Sequence, residues 1–452
     1  MMTLAEVAAC TGGRPHGEAR LRGVATDTRR LEPGSLFVAL KGPRFDGHRF
    51  LAAAADAGAA GALVETGHEA GLPRVEVADT GRALLDLARG WRQRAAAGVV
   101  AITGSCGKTT VKDLTAAALA AGEPASVHAT PGNWNNTVGM PLTLFGLSEG
   151  HRFAAVEVGI NRPGEMALLA DAVRPDVAVI TNAAPAHLEG LGSVAAVAAE
   201  KGRLLDGLGP EGVAVINADS PFAAQWLRAA PGAVVRFGLD APAEVRGEWR
   251  PEAGGGRLWV RTPTGEAALT LALPGRHNAA NALAALAAAH ALGVPLAEAA
   301  RGIEAVPAAA GRLQARPSPD GLTVLDDTYN ANPAALEAAL DVLTEAGGRT
   351  WAVIGDMGEL GVDEAAWHAR AGEAARARGV DRLIGVGGLA AGAAEAFGAG
   401  GRAVADWAAA AELLANEAAA GDRVLVKGSR SMRLERLVAH LTGDTGEQGA
   451  RA

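Results

Sequence analysis

Short, continuously apolar segments alternate along the middle of the chain with segments of helical apolar spacing. The apolar segments are GVVAIT (98–103), AAVEV (154–158), VAVIT (177–181) and GVAVIN (212–217). Strands that are apolar on both faces are typical of a parallel sheet with helices on each side. A long Ala/Leu helix is predicted over 274–292. We therefore predict a central domain built on a parallel α/β sheet.

The first part of the chain carries shorter strand-like segments separated by turn residues. These lie at 36–40, 61–64 and 75–77, and a helix is predicted after them at 82–94. This spacing indicates a small α/β module, which we place at residues 1–80. The central domain would then occupy residues 81–310.

From about residue 311 the alternation of apolar strands and helices begins again. We predict strands at 322–325, 351–355, 381–386 and 423–426. They indicate a second, smaller doubly wound unit of Rossmann type, which we place at 311–452. The fold class is thus α/β, with three domains.

Composition and charge narrow the classes of function. Hydrophobic residues make up 49% of the 452 residues and charged residues 20%, as in a folded soluble protein. With 42 basic and 50 acidic residues the net charge is −8, which argues against nucleic acid as a partner but leaves room for small phosphorylated ligands. The chain has neither a signal-peptide pattern nor an apolar run long enough to span a membrane. We expect a cytoplasmic monomer that acts on small molecules.

A glycine-containing loop follows the apolar segment 98–103 and precedes a predicted helix. Its form is GxxGK[ST], since Ile102 stands where the general phosphate-loop pattern has its first glycine. Backbone N–H groups, a helix N-terminus and Lys108 can bind phosphates there, and Thr109 can bind Mg²⁺. We predict an ATP site formed by Gly104, Ser105, Cys106, Gly107, Lys108, Thr109 and Thr110.

Cys106 is the unusual residue of this loop. A small residue that only fills space is one interpretation. The other is a reactive thiol, because the neighbouring Lys108 and the helix N-terminus should lower its pKa. The only other cysteine is Cys10, so a reducing compartment is expected.

Polar residues at the ends of two apolar segments are candidates for metal binding. Glu157 lies near the end of 154–158, and His187 follows 177–181 with Glu189 beside it. Ligands bind at the carboxyl ends of strands in open α/β sheets. Glu157 could bind Mg²⁺ near Thr109 or pair with an arginine in the core; His187 could bind a metal or substrate, or be structural.

Three features near the C-terminal strands have open interpretations. Asp326 and Asp327 could bind a ribose or a metal, or serve as turn residues. Asn332 is predicted to cap a helix that begins at Pro333. The basic run 427–436 is either a solvated helix end or an anion site. In the central domain, periodicity leaves Lys201 as a surface lysine.

Taken together, these motifs resemble the Mur ligase superfamily over nearly the whole chain. The matching segments include ATDTRR (25–30), TGSCGKTT (103–110), EVGINRPGEM (157–166), LPGRHNAANALAA (273–285) and VLVKGSR (424–430). The segments GNWNN (132–136) and DDTYNANP (326–333) are the most specific to the branch that adds D-alanyl-D-alanine to UDP-N-acetylmuramoyl-tripeptide. Cys106, where serine or asparagine is more usual, is a mild departure.

The resemblance implies roles for residues that spacing alone does not assign. Lys108, Glu157, His187 and Lys201 would be catalytic, with Thr109, Glu157, His187 and a carbamylated Lys201 as ligands of two Mg²⁺ ions. Besides the phosphate loop, ATP would contact His277, Asn278, Arg312 and Asp327. The UDP-substrate would contact Thr26, Asp27, Thr28, Arg29, Asn133, Asn135, Asn136 and Thr137.

The implied reaction forms an amide bond through an acyl phosphate during peptidoglycan precursor synthesis. Two other members of the superfamily fit less well: the diaminopimelate-adding enzyme carries a DNPR-type motif that is absent here, and folylpolyglutamate synthase lacks a module like residues 1–80. A regulatory P-loop NTPase and a catalytically dead nucleotide-binding protein are the alternatives from other classes.

Overall fold

The computed structural model describes residues 2–43, 45–120, 123–252 and 254–444. Its three large sheets follow one another along the chain, with five, nine and six strands. Among the described residues no helix is long and apolar enough to cross a membrane.

The first sheet is small and mixed, and its strand order is β2-β9-β8-β5-β4. Strands β4, β5, β8 and β9 run parallel, while β2 pairs antiparallel with β9. The elements of this part are β1 Met2–Thr3, α1 Leu4–Thr11, β2 Arg14–His16, β3 Arg20–Leu21, β4 Val24–Ala25, β5 Leu36–Val38, β6 Lys41–Gly42, β7 Phe45–Asp46, α2 Leu51–Asp56, β8 Gly61–Glu65, β9 Arg74–Val77 and α3 Thr80–Arg92.

The second sheet has the order β11-β12-β10-β13-β14-β15-β16-β17-β18 and is parallel from β11 to β16. The predicted strand at 98–103 is confirmed in full. The elements are β10 Gly98–Thr103, α4 Lys108–Ala120, β11 Val127–Ala129, α5 Gly139–Phe145, β12 Phe153–Glu157, α6 Glu165–Val173, β13 Val177–Ile180, α7 Leu188–Leu191, α8 Val194–Gly202, β14 Val213–Asn217, α9 Ala223–Ala229, β15 Ala233–Gly238, β16 Val245–Glu252, β17 Gly255–Thr262, β18 Gly265–Leu271, α10 Arg276–Ala291 and α11 Leu296–Glu304.

The third sheet has the order β19-β20-β24-β21-β22-β23, with only β19 antiparallel to its neighbour. The four strands predicted here from residue 322 onward are all present. The elements are β19 Gln314–Pro317, β20 Thr323–Asp327, α12 Pro333–Glu345, β21 Thr350–Gly355, α13 Glu364–Ala377, β22 Arg382–Val386, α14 Ala390–Phe397, β23 Gly401–Val404, α15 Trp407–Glu417, β24 Arg423–Lys427 and α16 Glu435–Thr442.

Helix α3 belongs to two hydrophobic cores at once. Its N-terminus is capped by Asp79, whose side chain accepts a hydrogen bond of 2.9 Å from the backbone N–H of Arg82. One side of the helix buries Leu84 and Leu87 in the core of the first sheet, and another buries Leu85 and Ala88 against the second. A boundary at residue 80 therefore stays a prediction, because the helix that follows it serves both parts.

Candidate active site

The glycine loop between β10 and α4 is shaped by close backbone packing. Gly107 has φ +80°, a left-handed conformation, and a Cβ at Gly104 would lie 1.9 Å from Oγ1 of Thr181. The side chain of Asn182 accepts a hydrogen bond of 3.0 Å from the N–H of Cys106 and donates one of 3.1 Å to its carbonyl oxygen. The neighbouring strand end thus holds the loop in place, as a preformed anion site requires.

Lys108 is the first residue of α4, and its side chain folds back over the loop. Its Nζ donates a hydrogen bond of 2.8 Å to the carbonyl oxygen of Gly104. The ammonium group therefore lies over the backbone N–H groups and the positive end of the helix, where a polyphosphate would replace the carbonyl as its partner.

Glu157 ends strand β12 with only 1% of its surface exposed. Its two carboxylate oxygens accept hydrogen bonds from Oγ1 of Thr109 at 2.8 Å and from Nδ2 of Asn135 at 2.6 Å. Its hydrogen-bond partners are thus uncharged, so the alternative of a core carboxylate paired with an arginine is wrong. Asn135, predicted to face the substrate, also orients Glu157.

Lys201 is fully buried, so the interpretation as a surface lysine is wrong. Among the described residues its Nζ has no hydrogen-bond partner. Burial, and after it the repulsion from Lys108, lower the pKa of this amine well below its ordinary value. A sequence signal existed, since Val197, Ala198 and Lys201 of α8 are spaced as one buried helix face.

His187 precedes helix α7 in a left-handed conformation with φ +54°. Its Nδ1 lies 2.6 Å from Oε2 of Glu359, a residue of the third sheet's domain. The hydrogen bond from His187 lowers the pKa of the Glu359 carboxyl. Sequence reasoning missed Glu359, because it lies in a loop far along the chain; Glu189 adds its backbone N–H, 3.4 Å from the carbonyl oxygen of Glu359.

The third domain presents Asp327 and Lys427 to the same region. Oδ2 of Asp327 lies 2.5 Å from Nζ of Lys427, and its Oδ1 accepts a hydrogen bond from the N–H of Leu313. Asp326, in contrast, accepts hydrogen bonds from the N–H and hydroxyl of Thr328, as expected of a turn residue. In the basic run 427–436, Lys427 is buried in an ion pair and Arg430 lines the cleft.

The predicted ATP residues of the two larger domains face one another. The guanidinium of Arg312 lies over the ring of Tyr329, 4.2 Å from its centroid. Asn278 Oδ1 accepts a hydrogen bond from Asn281, whose side chain packs against Gly107. His277 is half-buried, and burial followed by the charge of Lys427 lowers its pKa to about 4.

A cleft of about 800 Å³ brings most of the predicted site residues together. It lies between the second and third domains. Its lining includes Ser105, Cys106, Gly107, Lys108, Thr109, Thr110, Asn133, Asn135, Asn136, Glu157, His187, His277, Asn278, Arg312 and Asp327.

The other predicted residues lie outside this lining. Gly104 lies at the base of the loop, and Lys201 is buried behind the loop. Residues 26–29 follow β4, which packs beside α5, the helix preceded by Asn136 and Thr137. There Asp27 pairs with Arg29 at 2.6 Å, and hydrogen bonds from Arg29 lower the pKa of Asp27 to about 2.

Cys106 contacts the third domain across the cleft. Its Sγ lies 3.2 Å from Oδ1 of Asn332, the residue that caps α12. Neither earlier interpretation foresaw this contact. The predicted cap is confirmed, because the same oxygen accepts a hydrogen bond of 2.9 Å from the N–H of Ala335.

Comparison with known proteins finds three family profiles in chain order. They are "Mur ligase family, catalytic domain" at residues 20–92, "Mur ligase middle domain" at 102–289 and "Mur ligase, glutamate ligase domain" at 311–430. The UDP-N-acetylmuramoyl-tripeptide–D-alanyl-D-alanine ligase of Escherichia coli is 39% identical and covers 97% of this chain and 98% of its own.

Two solved structures share the arrangement of the whole chain. MurF from Acinetobacter baumannii superposes with a TM-score of 0.90 at 33% identity, over 97% of this chain and 98% of that one. MurF from Thermotoga maritima, in complex with ADP, gives 0.82 at 28% identity, over 93% and 97%.

Proposed function

Because this chain belongs to the Mur ligase family, we propose that it is an ATP-dependent ligase that joins D-alanyl-D-alanine to UDP-N-acetylmuramoyl-tripeptide. A relative that covers 97% of the chain bears that name, and a structural neighbour holds ADP. The observation that carries the proposal is the hydrogen-bonded group of Thr109, Glu157 and Asn135 directly beside the phosphate loop.

The donor atoms in this group fit Mg²⁺. A threonine hydroxyl and a buried carboxylate are hard oxygen ligands, and the carboxylate has no cationic hydrogen-bond partner among the described residues. Thr109, Glu157 and His187 would hold the ion. When bound, Mg²⁺ would neutralise charge on the phosphates of ATP.

Lys201 supports a second acidic ligand in the form of a carbamate. Carbon dioxide reacts only with an uncharged amine, and the buried Lys201 amine has a strongly lowered pKa. Carbamylation would replace an unsatisfied buried amine by an anion behind the loop. We propose this as the resting state of the active enzyme.

The proposed reaction has two steps. The terminal carboxylate of the tripeptide attacks the γ-phosphorus of ATP, the bond to the β–γ bridging oxygen breaks, and ADP leaves. The amine of D-alanyl-D-alanine then attacks the carbonyl carbon of the acyl phosphate, loses a proton, and phosphate leaves. Lys108 would stabilise the transferring phosphoryl group, and the closed cleft would keep water from the acyl phosphate.

The substrates would approach from opposite sides. The segment 26–29 follows β4, which lies beside α5, and Asn136 and Thr137 precede that helix; with Asn133, which also lines the cleft, they form the part of the protein where we propose the UDP-substrate binds. His277, Asn278, Arg312 and Asp327 lie toward the third domain, where we propose that they contact ATP.

The deciding experiment measures ADP release with each substrate left out in turn. Continued release over many turnovers should require both UDP-N-acetylmuramoyl-tripeptide and D-alanyl-D-alanine, whereas the first step alone gives at most one ADP per enzyme; Lys108→Ala should abolish both. Continued release without the amine would favour an NTPase. Release with folate and glutamate would favour a folylpolyglutamate synthase.

A further inference from the structure

A short loop of the third domain, residues 357–361, reaches across to the second domain. We call it the docking loop; it follows β21 and has the sequence Met357-Gly358-Glu359-Leu360-Gly361. Met357 and Leu360 are buried in the core of the third domain, with 0% and 2% exposure. Between them the side chain of Glu359 is 61% exposed. The loop therefore presents a single carboxylate from a fixed base.

Two further contacts hold the base of the docking loop. The fully buried His368 accepts a hydrogen bond of 2.8 Å at Nε2 from the N–H of Met357, and its Nδ1 lies 2.7 Å from the carbonyl oxygen of Glu364. Ser429 Oγ accepts a hydrogen bond of 2.9 Å from the N–H of Gly358. The residues on either side of Glu359 are thus fixed by contacts within the third domain.

The docking loop meets the second domain where His187 leads into α7. The Nδ1 atom of His187 lies 2.6 Å from the Glu359 carboxylate. Next to this pair, the N–H of Glu189 points to the carbonyl oxygen of Glu359, and a Cβ at Gly361 would touch Glu189 at 3.5 Å. The two segments fit closely over several residues, so the pair is part of a docked surface.

Both partners have unusual backbones. His187 has φ +54° and Glu359 has φ +62°, a left-handed region that costs non-glycine residues free energy and is found mostly where function requires it. Two such residues are in direct contact across a domain boundary. We infer that both backbones are held in this conformation because it allows the contact to form.

We propose that Glu359 is a positioning residue: it holds the His187 imidazole in the cleft only when the third domain is docked. Since the Glu359 carboxylate accepts the proton of Nδ1, Nε2 is left unprotonated as a ligand atom. The coordination of Mg²⁺ by Nε2 rests on the function and the Mg²⁺ site proposed above. The positioning itself rests only on the geometry of the pair.

The consequence is a site that the second domain cannot complete alone. Thr109, Glu157 and Lys201 all belong to the second domain, whereas the residue that orients His187 comes from the third. Docking would therefore fix the tautomer of His187 at the moment when the cleft closes over the substrates.

The test compares Glu359→Ala, Glu359→Gln and Glu359→Gly with Glu373→Gln, which alters an exposed glutamate of α13. Glycine adopts the left-handed backbone freely, so its variant separates loss of the carboxylate from backbone strain. We expect kcat to fall about 10- to 100-fold in the Ala and Gly variants, with less loss in Gln, whose amide oxygen still accepts the Nδ1 proton. KM for ATP, for the UDP-substrate and for D-alanyl-D-alanine should each stay within about twofold of the wild-type value.

A second readout does not depend on turnover. In protein with ¹⁵N-labelled histidine, the His187 signals should show a proton fixed on Nδ1 in the wild type and a mixture of tautomers in Glu359→Ala. Binding of Mn²⁺, measured by electron paramagnetic resonance, should weaken by the same factor as kcat. The Glu373→Gln signals and Mn²⁺ affinity should match the wild type.

The proposal is overturned if Glu359→Gly keeps the wild-type kcat, or if kcat falls while the His187 tautomer is unchanged. If the wild type itself shows no ligation of D-alanyl-D-alanine, the proposed function fails. The tautomer of His187 would still decide the role of Glu359 in that case.

Discussion

A buried amine without a hydrogen-bond partner is costly unless chemistry changes it, and Lys201 is such an amine within the part of the chain that the structure describes. Its environment disfavours the ammonium form through burial and through Lys108. Glu157 shows the opposite case, since both of its carboxylate oxygens accept hydrogen bonds from neutral donors. At the scale of single residues, Glu157 thus has no charged hydrogen-bond partner among the described residues, which is what the proposed Mg²⁺ site requires.

Replacing Lys201 by alanine should lower the ligase rate by at least about 100-fold, because the carbamate proposed as a Mg²⁺ ligand would be lost. With ¹³C-labelled bicarbonate, the wild type should show a carbamate signal by NMR that is absent from Lys201→Ala. Lys41→Ala, at an exposed lysine, serves as the control and should retain both rate and signal. A wild type that is active without any carbamate signal would refute the assignment.

The lowered pKa of His277 predicts how the free energy of unfolding depends on pH. Its pKa is about 4 in the folded chain, below the ordinary value, so between pH 6.5 and 4 the unfolded chain binds a proton that the folded chain does not. Stability should therefore fall as pH falls through this range, by at most about 3 kcal/mol. The free energy of unfolding, measured with urea at several pH values, should depend more steeply on pH in this range for the wild type than for His277→Gln. Parallel pH profiles for the two proteins would contradict the shift.

At the scale of elements, the fully buried parallel strands of the second sheet were predictable, whereas the parallel strands β11, β15 and β23 and the antiparallel run β16 to β18 were not predicted. Strands β10, β12, β13 and β14 are buried on both faces, so their apolar runs are continuous. Strands β16 to β18 alternate exposed and buried residues and contain several arginines and glutamates, so no apolar run marks them.

The same contrast applies to the candidate site. Residues at strand ends, such as Glu157 and Asp327, could be found because each lies at the carboxyl edge of its own sheet, where ligands bind in open α/β folds. Glu359 could not, because its role depends on how two domains meet. Lys201 was within reach, but only through the spacing of its buried neighbours on α8.

Helix α12 offers a test of a predicted cap. Asn332→Ala removes the acceptor of the Ala335 N–H and should lower the free energy of unfolding by about 1 kcal/mol. Asn332→Ser, which also caps well, should lose only a few tenths. Denaturant unfolding followed by circular dichroism measures both. Equal losses in the two variants would show that the contact with Cys106, and not the cap, carries the effect.

At the scale of the whole molecule, the third domain meets the second around a cleft of about 800 Å³. Cys106 with Asn332 and His187 with Glu359 are two of their contacts, and both involve polar side chains. Interfaces of this kind are typical of domains that move relative to each other. Closing the cleft around bound substrates would require such movement, since the lining residues come from both sides.

Adding ATP together with the UDP-substrate should reduce the radius of gyration measured by small-angle X-ray scattering, because closed molecules become more populated. The comparison is with Lys108→Ala under the same conditions, where the change should be smaller. Scattering curves that are identical with and without ligands would count against domain closure.

Helix α3, with one face in each of two cores, has a consequence for how the chain melts. Unfolding α3 together with the first domain would remove Leu85 and Ala88 from the hydrophobic core of the second domain. We therefore expect these two domains to unfold together. Calorimetry should resolve two heat-absorption peaks and not three: one for the first and second domains together, and one for the third. A polar replacement of Leu85 should lower the shared melting temperature and leave the other unchanged.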